Sequence, residues 1–260
     1  YRTAWLKANY PVEYMAALIS SVMNTKDKVP FYVNQCHELG IEVLPPDVNE
    51  SEVGFTVVNG KVRFGLNAVK GVGRGAIESI IAARDSGPFG TIYDFCGRVD
   101  SQVANKRVLE ALIRSGAFDS TGDSRRGMLE VLPAAMSAGE RRRKDAADGQ
   151  FGLFDALLPD EAQSHDPPVP RVEFDQPTLL KGEKEALGLY VSAHPLQGLR
   201  EQLREETETF ISGLDDLGDG VVAWTGGIVA NAQKKTSKNG GVWLAFRLED
   251  VDGGVECRAW

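Results

Sequence analysis

The chain has 260 residues, of which 42% are hydrophobic and 25% charged: an ordinary globular balance, with length for two or three small domains. A formal charge of −8 argues against uniform coating of nucleic acid and leaves local basic patches as the means of binding it. No apolar run is long enough for a membrane helix, no leader opens the chain, and Cys36, Cys96 and Cys257 form no CxxC pair, so membrane insertion, zinc and disulfides are not expected and a cytoplasmic setting is.

The opening Tyr1-Arg2-Thr3-Ala4-Trp5 reads as the inside of a helix, and residues 255–260 alternate like a strand that stops abruptly, so a piece of a longer protein is expected. Pro11 marks a helix start, and Tyr14, Leu18 and Val22, with Met15 and Ile19 beside them, form its core face. A second helix runs from about Val29 to Leu39 and stops at Gly40. Ile41 to Leu44 is a short strand before the stiff Pro45-Pro46. Two further strands flank Asn59-Gly60, a type I′ turn signal. Residues 66–132 read as helices joined by glycine-bearing turns. Between about Ser137 and Pro177 a charge run (Arg141, Arg142, Arg143, Lys144) and five prolines predict a linker. Helices are expected at Leu179–Leu189 and Leu199–Phe210. Strands follow at Val221–Val229, Val242–Leu248 and from Val255, with a Lys-rich loop between the first two.

The sharpest motif is Leu66 to Ile81. Leu66 and Val69 share one face of a short helix, and Ala76, Ile77, Ile80 and Ile81 line the next. Between them Gly71-Val72-Gly73 makes a tight hairpin, with Val72 plugging the apolar seam. The unpaired N–H groups at the second helix's start suit a phosphate. The pattern resembles the helix-hairpin-helix of DNA-binding proteins, which holds phosphates without reading bases. Residues 61–84 carry five basic side chains, Lys70 and Arg74 among them, and one acid, Glu78, a net of +4. The same glycines fit a dinucleotide fingerprint, but Lys70 interrupts the approach and no second parallel strand follows. A glycine-rich turn without a ligand is the bland alternative. Residues 105–119 repeat the helix-then-hairpin, with Arg114-Ser115-Gly116 at the turn and Arg125 and Arg126 beyond. This copy either touches DNA or packs against the first.

Five segments in order resemble the alpha subunit of bacterial DNA polymerase III, the replicative C-family polymerase. They are YRTAWLKANYP (1–11), VLPPDVN (43–49), FGLNAVKGVG (64–73), NKRVLEALIRSGAFDS (105–120) and EKEALGLYVSAHP (183–195). The resemblance implies an α+β multidomain piece. Residues 1–60 would be the C-terminal part of the fingers domain, 61–135 a tandem helix-hairpin-helix domain, 136–178 a linker with a clamp-binding peptide, 179–218 a helical connector, and 219–260 the start of a β-barrel OB fold. It also implies that the catalytic palm and its magnesium ligands lie outside this chain. The partners it implies are primer–template DNA, the sliding clamp and other holoenzyme subunits.

Within the linker, Gln150-Phe151-Gly152-Leu153-Phe154 looks like the family's clamp peptide, with Gln150 at the amide position and Leu153 and Phe154 as pocket plugs. Burying those two side chains gives about 3–6 kcal/mol before ordering costs, a weak tether. Folding back on its own domain is the alternative. Lys234, Lys235 and Lys238, with Trp243, Phe246 and Arg247, fit a single-strand platform, or a solvated loop beside core aromatics; alternation puts Trp243 opposite Leu244 and Phe246 without saying which face is core. Asp250 and Asp252 precede Gly253-Gly254 and read as a hairpin turn. His37, His165 and His194 stand alone, so neither catalytic nor metal residues are expected. The error-prone paralogue of the family, and a non-enzymatic repair or recombination module built from the same parts, are the competing readings.

Overall fold

The computed structural model describes residues 1–23, 25, 28–147, 166–236 and 240–260. They fall into two compact units, Tyr1–Ser192 and Ala193–Trp260, each mixing helices with a three-stranded sheet. The chain is therefore α+β.

The first unit opens with α1 (Arg2–Asn9), whose side chains are all exposed. Pro11 starts α2 (Pro11–Val22), where Met15 and Ile19 form the deepest stripe and Tyr14 and Leu18 flank it. Helix α3 (Lys28–Glu38) ends as expected, with Gly40 left-handed at φ 70°. Strands β1 (Val43–Leu44), β2 (Thr56–Val58) and β3 (Lys61–Arg63) make a sheet of order β1-β3-β2, with β1 parallel and β2 antiparallel to β3. Asn59 (φ 51°) and Gly60 (φ 74°) supply the two positive φ values of the turn that the Asn-Gly pair signals. After β3, Gly65 runs against Gly54, where a Cβ would lie 2.5 Å from the Gly54 carbonyl carbon.

A single 3-10 turn, Leu66–Ala68, precedes α4 (Arg74–Arg84), α5 (Ile92–Arg98) and α6 (Lys106–Arg114). Phe95 packs against Phe89 and Phe118, with ring centroids 4.8 and 4.9 Å apart, at the centre of a core that continues back to Met15. Helix α7 (Arg125–Ala147) corrects the expected loss of order after Ser137. Its stability there is tertiary. Gly139 lets α7 approach α5 so closely that a Cβ would meet the Cys96 oxygen at 2.2 Å. Arg143, read as part of a charge run in the linker, donates to the Cys96 and Val99 carbonyls at 2.7 Å each, capping the C-terminal end of α5. Residues 170–173 also return to the start of α7: the Ser124 hydroxyl donates to the Pro170 carbonyl (2.8 Å), and Glu173 accepts from the N–H groups of Arg125 (2.7 Å) and Arg126 (3.0 Å). Helix α8 (Gln176–Leu187) starts earlier than expected. Pro177 sits in its first turn, where a missing N–H removes no helix bond.

The second unit holds α9 (Arg200–Glu206), shorter than the expected 199–210 helix, and the antiparallel meander β4 (Ile228–Thr236), β5 (Val242–Glu249), β6 (Gly254–Ala259). Strand β4 starts seven residues later than the predicted Val221, so Lys234 and Lys235 stand in a strand and not in a loop. Asp250 forms the predicted turn: its Oδ1 accepts from the Asp252 and Gly253 N–H groups (2.8 and 2.9 Å), and its Oδ2 from Ile211 N–H (2.7 Å).

Candidate nucleic-acid interface

The first hairpin is built as the sequence suggests, with one change: its leading helix is a single 3-10 turn. Val69 and Val72 are buried, and Lys70, Gly71, Gly73 and Arg74 are exposed. Gly71 is left-handed (φ 87°), which lets the chain reverse in so few residues. Gly73 is the N-cap of α4 in extended backbone (φ −85°, ψ 160°), and no side chain caps this helix. The first-turn N–H groups of α4 have no helical acceptor by geometry, so an exposed, uncapped, glycine-bordered helix start faces solvent. A Cβ on Gly71 or Gly73 would meet nothing within 4 Å. The arrangement can accept a phosphate oxygen against backbone amides, with helix-dipole support.

The charge around it differs from the sequence count. Lys61 pairs with Glu42 (2.7 Å), Arg63 with Glu50, Arg84 with Glu52 and Arg74 with Glu78 (2.7 Å). Three of those acids lie outside the window that gave +4. Arg63 and Arg84 are also anchored to the Pro45 and Ser51 carbonyls (3.0 and 2.7 Å). Lys70 makes no ion pair among the described residues. Its N–H donates to the Ala186 carbonyl (2.8 Å), and its ammonium lies over Gly188, 3.4 Å from where a Cβ would be.

The second hairpin follows the same chain logic and faces inward. Ser115 is fully buried and its hydroxyl donates to the Leu112 carbonyl (2.8 Å). Gly116 is buried and left-handed (φ 83°), and a Cβ there would lie 2.4 Å from an Arg125 nitrogen. These two residues are therefore removed from the predicted DNA contacts; Arg114 remains exposed. Arg125 is the centre of the joint. It donates to Asp119 (2.9 and 2.6 Å) and to Glu183 Oε1 (3.1 and 3.2 Å), and Glu183, with no exposed surface, accepts the Val191 and Ser192 N–H groups on Oε2 (3.2 and 3.1 Å). Burial alone would lower the Arg125 pKa. The hydrogen bonds and charges of Asp119 and Glu183 outweigh it and carry the value upward, so the guanidinium stays cationic. Sequence reading missed this network, because residues 58 apart carry no local signal of their pairing.

In the second unit the sheet resolves which aromatics face where. Lys235 is opposite Trp243, and Trp243 stacks on Trp260 (5.6 Å, 30°), with Lys235 and Arg258 each 5.4 Å from the Trp243 ring centre. Strand alternation puts Leu244, Phe246 and Leu248 on the other face, with Val229 and Val255 as cross-strand neighbours. Lys234, opposite Leu244, belongs to that apolar face and not to the tryptophan face.

Gln150, Leu153 and Phe154 lie outside the described residues, as does Lys238. Among the described residues no helix is long and apolar enough to cross a membrane. No group of three His, Cys, Asp or Glu side chains among them could hold a metal ion.

A family model for the helix-hairpin-helix motif matches residues 40–128, a range that contains both hairpins. Along 98% of its length the chain is 41% identical to the DNA polymerase III subunit alpha of Mycobacterium tuberculosis, 40% to that of Thermus aquaticus and 36% to that of Escherichia coli (strain K12). It spans 22%, 21% and 22% of those proteins, about a fifth of their length.

Proposed function

We propose that this chain is a piece of a bacterial DNA polymerase III alpha subunit whose share of the work is to hold duplex DNA beside the active site. The parent would carry out template-directed synthesis from deoxynucleoside triphosphates, in the cytoplasm, with magnesium bound by its palm. The observation that carries the reading is the uncapped start of α4 behind Gly71-Val72-Gly73, inside a chain related along 98% of its length to those subunits. Relatives that carry the alpha-subunit name favour this over a stand-alone repair or recombination module.

The first hairpin grips without reading sequence. Gly71 and Gly73 let a phosphate come against backbone amides, Val72 anchors the loop in the core, and Lys70 and Arg74 add charge from either side. Arg74 is already paired with Glu78 on the exposed face, so it exchanges one anion for another and gains less than Lys70 does. Residues 219–260 are read as the start of an OB fold. Lys235, Arg258, Trp243 and Trp260 on one face make a cationic stacking surface for single-stranded DNA. Clamp docking is assigned to Gln150, Leu153 and Phe154 on the sequence argument alone, and other holoenzyme subunits would join through the parent.

The test is duplex binding by Lys70→Glu with Arg74→Glu. Affinity should fall for every primed duplex regardless of sequence, and the log–log salt slope should shrink by about 2. An unchanged slope in a folded variant would remove the hairpin from the interface.

A further inference from the structure

Helix α8 touches both hairpins. Glu183 is fully buried and receives four hydrogen bonds, two from Arg125 of α7 and two from the N–H groups of Val191 and Ser192. One turn later, the Ala186 carbonyl accepts the Lys70 N–H, and the Lys70 ammonium lies over Gly188. Arg125 also holds Asp119 and fills the space over Gly116. A continuous path thus runs from the buried second hairpin through Arg125, Glu183 and one turn of α8 to the backbone of the exposed first hairpin.

We infer that α8 is a working part of the duplex grip and that Glu183 is its positioning residue: it fixes the turn of α8 whose Ala186 carbonyl holds the Lys70 N–H and so sets the attitude of the Gly71–Gly73 turn leading into the free first-turn amides of α4. The inference rests on the first hairpin's proposed role in binding duplex. A set of amides aimed at a phosphate works only if held in place, and here the turn that leads into them is a short loop reversed at a single left-handed residue, Gly71. A buried ion pair is poorly suited to adding net stability, since an apolar pair of similar volume often does as well. It is well suited to fixing a geometry, because both its charges and all its hydrogen bonds are satisfied in one arrangement only.

The experiment compares the 260-residue chain with Glu183→Gln, and with Glu183→Gln plus Arg125→Met, in which the amide oxygen still serves Val191 and Ser192 and no buried charge is left alone. Three quantities are read: melting temperature, hydrogen exchange at the Lys70 amide, and duplex affinity across salt. The Lys70 amide should exchange about tenfold faster in either variant, and duplex affinity should drop about fivefold with a smaller salt slope. In Glu183→Gln the lost negative charge would by itself strengthen binding to a polyanion, and the double variant keeps the net charge of the chain, so a drop in either is not a net-charge effect. If Glu183→Gln melts too low to assay, the double variant carries the test. A folded double variant with a protected Lys70 amide and wild-type affinity overturns the inference. Faster Lys70 exchange with unchanged affinity also overturns it when Lys70→Glu with Arg74→Glu does weaken binding. If that charge-reversed pair binds normally, the grip itself is what has failed, and the exchange data still report whether Glu183 positions the hairpin.

Discussion

The two hairpins begin from the same plan, a helix, a glycine turn and a second helix, and end with opposite faces. At Gly71 and Gly73 the space where a side chain would be is open, the turn is exposed, and the following helix start lacks a cap. At Gly116 that space is filled by the Arg125 guanidinium, and the turn is buried. The following helix α7 is capped too, by Glu173, which accepts the Arg125 and Arg126 N–H groups from a segment 47 and 48 residues away. A helix-hairpin-helix is therefore not by itself a DNA contact. What decides is whether the protein already satisfies the amides and fills the glycine side. By that measure the first copy is the proposed site and the second is a joint.

The comparison is most easily broken at Arg125. Arg125→Met leaves the Glu183 carboxylate buried without its cation and should destabilise the first unit by about 3–5 kcal/mol. Lys70→Met in the open hairpin should stay within about 0.5 kcal/mol, since Lys70 makes no ion pair among the described residues. Denaturant midpoints measure both, and equal losses would mean that the two copies are not joint and site. The glycines give a second, smaller contrast. Gly116→Ala meets both a left-handed backbone and the Arg125 side chain, and should cost roughly 2–3 kcal/mol. Gly71→Ala meets the backbone strain alone, about 1 kcal/mol. A Gly71 variant as damaging as the Gly116 one would show that the first turn is packed against something.

Much of the open hairpin was legible because its signals are local. The Gly-Val-Gly spacing, the plugging Val72 and the apolar face of α4 lie within a dozen residues. The Asn59-Gly60 turn and the Gly40 stop were legible for the same reason. The joint was not, because its information is distributed: Glu183, Arg125 and Asp119 meet only after the chain has left and returned. The sequence predicts a linker from about Ser137 because the charge run Arg141 to Lys144 carries no local sign that Arg143 reaches the α5 carbonyls. The +4 count overstates the patch because Glu42, Glu50 and Glu52 reach it from the loops and the turn around β1. Lys235 and Lys234 were indistinguishable in sequence and are separated by strand alternation alone.

The cap on α7 gives a pH handle on the joint. Burial pushes the Glu173 carboxyl up, but the N–H groups of Phe174, Arg126 and Arg125, with the Arg125 charge, outweigh it and hold the pKa below its ordinary 4.5. A carboxylate depressed in the folded state stabilises above its unfolded value, and that stability is lost as pH falls through the folded one. Glu173→Gln should therefore lower stability at pH 7 modestly and flatten the acid limb of the stability curve below about pH 4.5, with little change in shape above it. Because Glu173 is exposed, the effect is screened by solvent and smaller than those at Arg125 or Gly116. An acid limb identical to wild type would mean that another carboxylate dominates it.

The smallest change in stability is also the sharpest test of the open hairpin, because its two readouts should move in opposite directions. Gly73 is the N-cap of α4 with extended dihedrals that any residue adopts and with free space where a side chain would go. Aspartate is among the best N-caps: its oxygen accepts from the second or third helical N–H, and its charge complements the helix dipole. Replacing glycine also reduces the freedom of the unfolded chain. Gly73→Asp should thus stabilise the first unit by roughly 0.5–1 kcal/mol. The same carboxylate would occupy the amides that a phosphate needs and add repulsion, so duplex affinity should fall severalfold and the salt slope should drop by about 1. The pairing of gains and losses separates the two hairpins, since at Gly116 every side chain should lower stability. If Gly73→Asp is more stable and binds duplex as well as wild type, the amides at the start of α4 are not where the phosphate sits.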